Sequence, residues 1–433
     1  MSSVSVGVIG LFAVLVMFLS GIEIAYAMAL VGFMGFCYLA NPVAALNLIA
    51  KDFFDVFSSY GLTVVPLFVL MGQIAFNAGI ARRLYGATYK FVGNVPGGLA
   101  MATVAGATAF KAICGSTIAT AATFAVVAIP EMDRYSYSKK LSTGVVAVVG
   151  TLGSLIPPSV FIILLGVITE QSIGRLFLAG IFPGLLIALF FIAVIYGWCK
   201  MNPALGPKGE SFPWKERIKS LPELIWVILI FVIVVFGLVW GFFTPTEAGS
   251  MGTLAVLLLS LAKKDINWPN FIKSIGESLN TACMVLVLIA GSTVFGHFLA
   301  VSRIPIVAAD FAMGLPYPRA LIMVIIAIIY LLGGSFMEDL AFVIIATPIF
   351  YPIAVKLGYD PMWFCIFIAI VQMVGIVIPP VAINVFVVKN ISKVPLSTIY
   401  LGVLPFLISI VVGAIFLFLF PQIALWLPSV LMQ

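Results

Sequence analysis

The chain has 433 residues, of which 63% are hydrophobic and 9% are charged, and its formal net charge is +6 at pH 7. Soluble domains are about half apolar and about a quarter charged, so this composition excludes a large soluble domain. The basic residues lie in short loops between apolar runs, a pattern that indicates orientation in a membrane and not nucleic-acid binding. We therefore predict an all-α polytopic membrane protein.

Apolar runs of about 20 residues recur along the chain and predict membrane-spanning helices. We expect crossings at about residues 4–20, 22–40, 60–79, 142–168, 176–199, 222–240, 245–262, 275–299, 362–388 and 398–425. The first run has no basic segment before it, so it predicts a retained helix and no cleaved signal peptide. Charges beside aromatic residues predict amphipathic helices in the membrane interface at 43–58 and 264–274.

Two segments, 95–130 and 318–350, are too interrupted to cross the membrane as single helices. Each has apolar arms around a centre rich in glycine and serine, at residues 114–117 in the first and 333–335 in the second. We predict that both are re-entrant hairpins, which enter and leave the membrane on the same side.

Two proline pairs, Pro157-Pro158 and Pro379-Pro380, interrupt the apolar runs 142–168 and 362–388 at a spacing of 222 residues. Proline inside a helix removes a backbone donor and costs about 3 kcal/mol or more, so each pair predicts a broken helix. A broken helix and a hairpin in each half predict inverted repeats. The expected division is a first repeat at 1–200, with scaffold helices in 1–60, a linker at 201–221, and a second repeat at 222–433, with scaffold helices in 222–274.

The distribution of lysine and arginine orients these elements. If both termini are periplasmic, most basic residues fall on the cytoplasmic side, as the positive-inside rule requires. In this topology the linker is cytoplasmic, the first hairpin opens from the cytoplasm and the second opens from outside. The two repeats are then inverted relative to each other in the membrane.

Interrupted helices at membrane depth need a protein or water environment, because lipid cannot satisfy their free backbone groups. The hairpin tips and the proline breaks are therefore expected to surround one central polar site. Helix N-termini at such a site favour an anion such as a carboxylate. Free carbonyl groups at the breaks suit a small cation such as Na⁺. The pattern is typical of a secondary transporter.

Several motifs resemble one family, and they occur in that family's order along nearly the whole chain. The motifs lie at residues 114–122, 129–132, 153–159, 172–184, 243–248, 347–349 and 378–384. They resemble the large membrane subunit (M, DctM-like) of tripartite ATP-independent periplasmic (TRAP) transporters. No fused second subunit is expected, since this pattern already begins at Val4.

The resemblance implies a Na⁺-driven importer of an organic acid with an elevator motion. It also implies two partners besides lipid, namely a small membrane (Q-type) subunit and a periplasmic solute-binding (P-type) protein. Two or more Na⁺ sites and no organic cofactor or nucleic acid are expected.

The candidate site residues lie at the hairpin tips and the breaks. The candidate substrate ligands are Lys111, Ser116, Thr117, Ser159, Glu338 and Asp339. The candidate Na⁺ ligands are Gly115, Ser116, Gly153, Ser154, Gly334, Ser335, Pro379 and Asn384.

Structural roles compete with these assignments. The hydroxyl groups of Ser116 and Thr117 are also suited to capping a helix, and Ser154 and Ser159 to binding freed carbonyl groups. Asn384 is equally suited to a bond between helices. Glu338 and Asp339 form an acidic pair in an apolar segment, which favours a function over a surface bend. Lys111 can bind a carboxylate, pair with an acid or extend to the cytoplasmic surface, and the last is the expected role.

Other functions remain open at this point. An enzyme would need a catalytic or metal-binding set, and the single histidine, His297, has no second ligand nearby in the sequence. A channel would need a continuous polar lining, whereas the polar features cluster near the expected midplane. A passive scaffold subunit would need no polar lining. A stand-alone ion-coupled carboxylate transporter without a binding protein is the remaining alternative.

Overall fold

A computed structural model describes residues 2–432, and all regular structure within this range is helical. The α-helices in chain order are α1 (Ser3–Leu19), α2 (Ile24–Leu39), α3 (Pro42–Ser58), α4 (Val64–Asn77), α5 (Ile80–Val92), α6 (Gly98–Lys111), α7 (Thr117–Arg134), α8 (Lys139–Val149), α9 (Val160–Thr169), α10 (Ile173–Met201), α11 (Trp214–Val239), α12 (Pro245–Ala262), α13 (Trp268–Ser302), α14 (Ile304–Gly314), α15 (Arg319–Phe336), α16 (Asp339–Lys356), α17 (Pro361–Gly375), α18 (Ile383–Ser392), α19 (Leu396–Leu419) and α20 (Gln422–Leu431).

Polar capping residues mark the N-termini of several of these helices. Asn41 accepts a hydrogen bond from the Ala44 amide ahead of α3, and Pro42 takes the first helical position. Thr244 and Glu247 form a reciprocal capping box at the start of α12. Helix boundaries are therefore set locally, while the apolar residues between them set the packing.

The multi-pass membrane architecture is confirmed. Within residues 2–432, eight helices are long and apolar enough to cross a membrane. Many large apolar side chains on them remain exposed, for example Leu229 on α11, Ile328 on α15 and Ile408 on α19. Such an apolar exterior is stable against lipid and not against water. The orientation of the termini stays a prediction.

Both hairpins are present. The first consists of α6 and α7 with a turn at 112–116, and the second consists of α15 and α16 with a turn at 337–338. The second turn therefore lies beyond 333–335, where the glycines had predicted it. Gly334 lies in the last turn of α15, and its main chain packs against Gly375 of α17. It therefore marks a close contact between helices and not a bend.

Both broken helices are also present. The first comprises α8, a 3₁₀ segment at Gly150–Ser154, the proline turn and α9. The second comprises α17, the proline turn and α18. The Pro157-Pro158 and Pro379-Pro380 peptide bonds are both cis.

One predicted element was wrong. The stretch 264–274 does not form a separate interfacial helix, because Asn267 caps α13 and the chain then continues as one 35-residue helix. The helix predicted at 43–58 is present as α3. Three short helices, α5, α14 and α20, had not been predicted as separate elements.

A shift of 222 residues relates the two halves. It takes α7 (Thr117–Arg134) onto α16 (Asp339–Lys356) residue for residue. The contacts between the halves are reciprocal as well, since α2 packs on α13 as α4 packs on α12, and α7 packs on α18 as α9 packs on α16. Reciprocal packing of this kind is the approximate two-fold relation that inverted repeats produce.

The helices form two packed groups. In the first, the scaffold group, α13 packs on α1, α2, α3 and α4, and α12 packs on α4 and α11. The second, the hairpin group, contains the hairpins, the broken helices, α10 and α19. Helix α5 joins the two groups by packing on α6 and on α11, and Arg83 of α5 pairs with Glu223 of α11 at 3.1 Å.

Candidate functional site

A polar cavity of about 450 Å³ lies between the two groups of helices. The hairpin group contributes the tip of the first hairpin, the tip of the second hairpin and the start of α9, while the scaffold group contributes α4 and α13. The lining residues are Val69, Gln73, Phe76, Gly115, Ser116, Thr117, Ile118, Ala119, Val160, Phe161, Glu277, Asn280, Thr281, Met284, Val285, Glu338, Asp339 and Leu340.

The two hairpin tips present different chemistry to this cavity at equivalent positions. The 222-residue shift takes Ser116 and Thr117 onto Glu338 and Asp339, and all four line the cavity. Each pair occupies the cap and the first position of a helix, α7 in the first half and α16 in the second. The repeat therefore places hydroxyl groups on one side of the cavity and carboxyl groups on the other.

Besides α16, whose N-terminus carries the acidic pair, the helices α7 and α9 also begin at this cavity. The first residues of α7 and α9, Thr117 and Val160, line the cavity. The free N–H groups at such ends carry partial positive charge and attract anions. The cavity thus combines two electropositive helix ends with two carboxyl groups.

The capping role considered for Ser116 is present, and Ser159, for which bonds to freed carbonyl groups had been predicted, caps a helix as well. The Ser116 hydroxyl accepts a hydrogen bond from the Ala119 amide at 3.2 Å, and the Ser159 hydroxyl accepts one from the Ile162 amide at 3.4 Å. Ser159 is fully buried behind the start of α9, whereas Ser116 borders the cavity. A contact between either serine and substrate stays a prediction.

Lys111 does not extend to the cytoplasmic surface, so that prediction was wrong. Its side chain is fully buried, and its ammonium donates a hydrogen bond to the main-chain oxygen of Ser116 at 2.6 Å. The carbonyl at the hairpin tip supplies the hydrogen-bond acceptor that a buried ammonium group requires, so the side chain can fold inward. The ammonium also lies against Gly153, where any side chain would overlap it.

The predicted glycine sites are places where hairpin and broken helix touch. A Cβ atom on Gly115 would lie 2.6 Å from the Pro158 carbonyl oxygen. In the second half, the Val381 amide donates to the Ser335 carbonyl at 3.0 Å, which ties the turn after Pro379 to the second hairpin. We call these two contacts the first and the second seam: the first joins Lys111–Thr117 to Gly150–Pro158, and the second joins Gly333–Ser335 to Gln372–Val381.

Asn384 lies at the first seam, although it belongs to the second half. Its Nδ2 atom donates to the Ala147 carbonyl at 3.2 Å and lies beside Gly150. Its Oδ1 atom, like the Ser154 hydroxyl, is buried and has no hydrogen-bond partner among residues 2–432. The Asn384 side chain thus forms a hydrogen bond between helices through Nδ2 and keeps an acceptor at Oδ1 that is free within the described chain.

Gln372 is a site residue that sequence reasoning missed. It is fully buried at the second seam, with its Oε1 atom against Gly334, and neither of its polar atoms is hydrogen-bonded within the described chain. The available signal was a single amide in the otherwise apolar run of α17. A buried unpaired amide is costly, about 1–3 kcal/mol, which marks it as a candidate ligand.

The scaffold wall was missed as well. Glu277, Asn280 and Thr281 line the cavity from one face of α13, at the spacing expected for a single helix face. Asn77 of α4 donates to the Glu277 carboxylate at 3.1 Å and so fixes its position. His297, further along α13, is exposed and instead bonds the buried Asp52 of α3 at 2.9 Å, which joins α13 to α3.

A cavity bounded by interrupted helices, in an all-helical multi-pass membrane protein, is typical of a secondary transporter of the permease type. Residues 11–423 match the DctM component of the tripartite ATP-independent periplasmic transporters. The chain therefore belongs to that family, as its large membrane subunit, and is a transporter and not an enzyme.

Named relatives agree with this family. The chain is 34% identical over 392 residues to the C4-dicarboxylate TRAP transporter large permease protein DctM of Pseudomonas aeruginosa, covering 90% of this chain and 91% of that protein. It is 30% identical over 421 residues to the sialic acid TRAP transporter large permease protein SiaM of Vibrio cholerae, covering 97% of each. The fold is similar to the Alcanivorax borkumensis YdaH transporter, with a TM-score of 0.64, 12% identity, and coverage of 91% and 90%.

Proposed function

We propose that this chain imports an organic anion by coupling it to Na⁺, and that it receives the anion from a periplasmic binding protein. The observation that supports this most directly is the cavity itself. It brings two electropositive helix ends and an acidic pair to one space between the hairpin group and the scaffold group. Its volume of about 450 Å³ is within the range of about 300–1,000 Å³ typical of small-molecule sites.

The anion is proposed to bind at the start of α7 and α9. Ser116 and Thr117 offer hydroxyl groups there, and the amides of the first helical turn offer further donors. A carboxylate beside Glu338 and Asp339 would be repelled, since like charges close together in a membrane interior are unfavourable. We therefore propose that these two residues contact hydroxyl donors of the substrate or the coupling cation.

The acceptors available to Na⁺ are proposed to lie at the two seams. At the first seam they are the Ser154 hydroxyl, the Asn384 Oδ1 atom and the main-chain oxygens around Gly115, Ser116 and Gly153. At the second seam they are Gln372 Oε1 and the carbonyl groups of Gly334, Ser335 and Pro379. The unpaired buried oxygens of Ser154, Gln372 and Asn384 support this fit, because oxygen atoms without a donor suit a hard cation.

The movement is proposed to be of the elevator type. The cavity is bounded on one side by the hairpin group and on the other by α4 and α13, so sliding one group along the other would carry a bound anion with it. The joining helix α5 would absorb such a displacement.

The proposed partners and the proposed substrate class rest on membership of the family. A periplasmic binding protein and a small membrane subunit are expected to complete the transporter. The related proteins are named for C4-dicarboxylates and for sialic acid, so a carboxylate is proposed for this chain. A ligand screen on the binding protein encoded beside this chain would select among carboxylates.

The proposal is tested by reconstituting the chain with its small subunit in liposomes and adding the loaded binding protein. We expect uptake only with an inward Na⁺ gradient and only with the binding protein. Uptake that is indifferent to the gradient would contradict Na⁺ coupling. Uptake without the binding protein would instead support a stand-alone carboxylate transporter.

A further inference from the structure

Lys111 is a buried cation that the transport cycle described above does not use. It is the last residue of α6 and is fully enclosed behind the tip of the first hairpin. The cavity lining, as far as residues 2–432 show it, does not include this side chain. Its ammonium group is therefore placed to bind protein atoms and not the transported anion.

The ammonium occupies the first seam. It bonds the main-chain oxygen of Ser116 at 2.6 Å and fills the space that a side chain at Gly153 would need. No carboxylate of the described chain lies within 4.0 Å of it. The ammonium thus occupies a place where the carbonyl oxygen at a hairpin tip would otherwise be available to a small cation, and no carboxylate of the described residues is in direct contact with it.

At the second seam, the position equivalent to that of Gly153 has no ammonium group of the described residues beside it. The 222-residue shift takes Gly153 onto Gly375, which packs directly on Gly334. Here the side chain facing the hairpin is Gln372, and its Oε1 atom is an acceptor with no partner in residues 2–432. One seam thus holds a fixed positive charge, and the equivalent seam holds an open neutral acceptor.

We propose that the Lys111 ammonium is a tethered substitute for one coupling Na⁺, so that, of the two seams whose oxygen atoms are available to Na⁺, only the second binds it in the wild type. This inference rests on the proposed Na⁺ coupling and sets its stoichiometry. The positions beside Gly150 and Gly153 are one 3₁₀ turn apart, about 6 Å. At that separation the ammonium repels a second cation next to Asn384 and Thr117.

The test is the number of ²²Na⁺ ions bound per purified chain, measured by equilibrium dialysis. Lys111→Ala and Lys111→Ser both remove the charge and open the space, so each is expected to bind one more Na⁺ than the wild type. Lys51→Ala removes an exposed lysine on α3 and is expected to match the wild type. Size-exclusion chromatography establishes that each variant is folded, and the two Lys111 variants serve as replicates if one of them misfolds.

The outcomes separate this inference from Na⁺ coupling itself. If the wild type binds Na⁺ and the folded Lys111 variants bind the same number or fewer, the tethered cation is contradicted while coupling stands. If the wild type and both variants bind none, coupling and the tethered cation both fail. If only the variants bind Na⁺, the exclusion of Na⁺ by the ammonium is supported, but the proposed Na⁺ site at the second seam and coupling in the wild type are contradicted.

Discussion

At the scale of single residues, the equivalence of Ser116 and Glu338 is the most informative feature of the cavity. A hydroxyl and a carboxyl occupy the same position in the two repeats and face the same space. The repeat supplies the geometry, and these two side chains supply a difference in charge between the two hairpin tips, which the proposed binding of an anion and a cation would use.

Ser116→Ala removes a hydroxyl that caps α7 and borders the cavity. Loss of a cap costs about 1 kcal/mol, and loss of one hydrogen bond of about 1.4 kcal/mol to the anion is about tenfold in affinity. We expect uptake at low substrate concentration to fall about tenfold while membrane insertion is normal. The measurement is initial uptake rate against substrate concentration in proteoliposomes.

Ser172→Ala is the matched control, because Ser172 also caps a helix, accepting from the Arg175 amide at 3.4 Å, but is exposed at the start of α10. It is expected to keep wild-type uptake. Equal losses in both variants would mean that Ser116 acts only as a cap, and full uptake in Ser116→Ala would remove it from the site.

Glu338→Gln removes a negative charge from the cavity and keeps the shape of the side chain. If this carboxylate attracts the coupling cation, the Na⁺ concentration for half-maximal uptake is expected to rise about tenfold, as for a loss of about 1.4 kcal/mol. The same change at the exposed Glu216 of α11 is the control and is expected to leave Na⁺ dependence unaltered. An unchanged Na⁺ curve for Glu338→Gln would assign this residue a role unrelated to cations.

At the scale of elements, the sequence predicted what is local and missed what depends on packing. The hairpins and proline breaks were predictable because glycine, serine and proline determine backbone conformation over a few residues. The second hairpin turn was misplaced because Gly333 packs against Phe342 of α16 and Gly334 packs against α17, contacts that only the folded chain forms. The separate helix at 264–274 was wrong because nothing between Asn267 and Ser302 interrupts α13.

The site was predictable to the same extent. Ser116, Thr117, Glu338 and Asp339 stood out as polar residues at interruptions in apolar segments, and all four line the cavity. Gln372 and the α13 face with Glu277 lie within uninterrupted helices, where a polar side chain has many possible roles. Their proximity to the hairpins follows from the two-fold packing of the halves, which no single segment encodes.

Gly375→Ala tests the second seam. An added Cβ would lie 2.8 Å from the carbonyl carbon of Gly334, a backbone atom that cannot move aside without shifting the hairpin. Overpacking of this kind costs about 1–3 kcal/mol, so we expect a lower unfolding temperature and reduced uptake. The unfolding temperature of the detergent-purified protein is the measurement.

Gly276→Ala provides the comparison, because a Cβ on Gly276 within α13 meets nothing within 4 Å. Alanine in an open helical position is expected to stabilise by about 0.5–1 kcal/mol. If both variants unfold at the same temperature as the wild type, the contact between α15 and α17 is looser than the structure indicates.

At the scale of the whole molecule, the two repeats together build two helix groups, the scaffold group and the hairpin group. The candidate site is the cavity between these groups. The hairpin tip carrying Cys114 packs directly on α4 of the scaffold group. A Cβ atom at Gly72 of α4 would lie 3.6 Å from Cys114 Cβ and 3.2 Å from its Sγ atom. A Cβ separation of about 3.5–4.5 Å suits a disulfide, so a cysteine introduced in place of Gly72 can be linked to a native residue of the first hairpin tip.

The most direct test of the account is therefore transport by Gly72→Cys before and after oxidation. If the hairpin group must slide along the scaffold, a disulfide between the introduced cysteine and Cys114 is expected to reduce uptake to background, and reduction with dithiothreitol is expected to restore it. Gly72→Cys combined with Cys114→Ala cannot form the link and should be insensitive to oxidation. Uptake at an unchanged rate by protein that mass spectrometry shows to be fully cross-linked would contradict an elevator movement of this tip against α4.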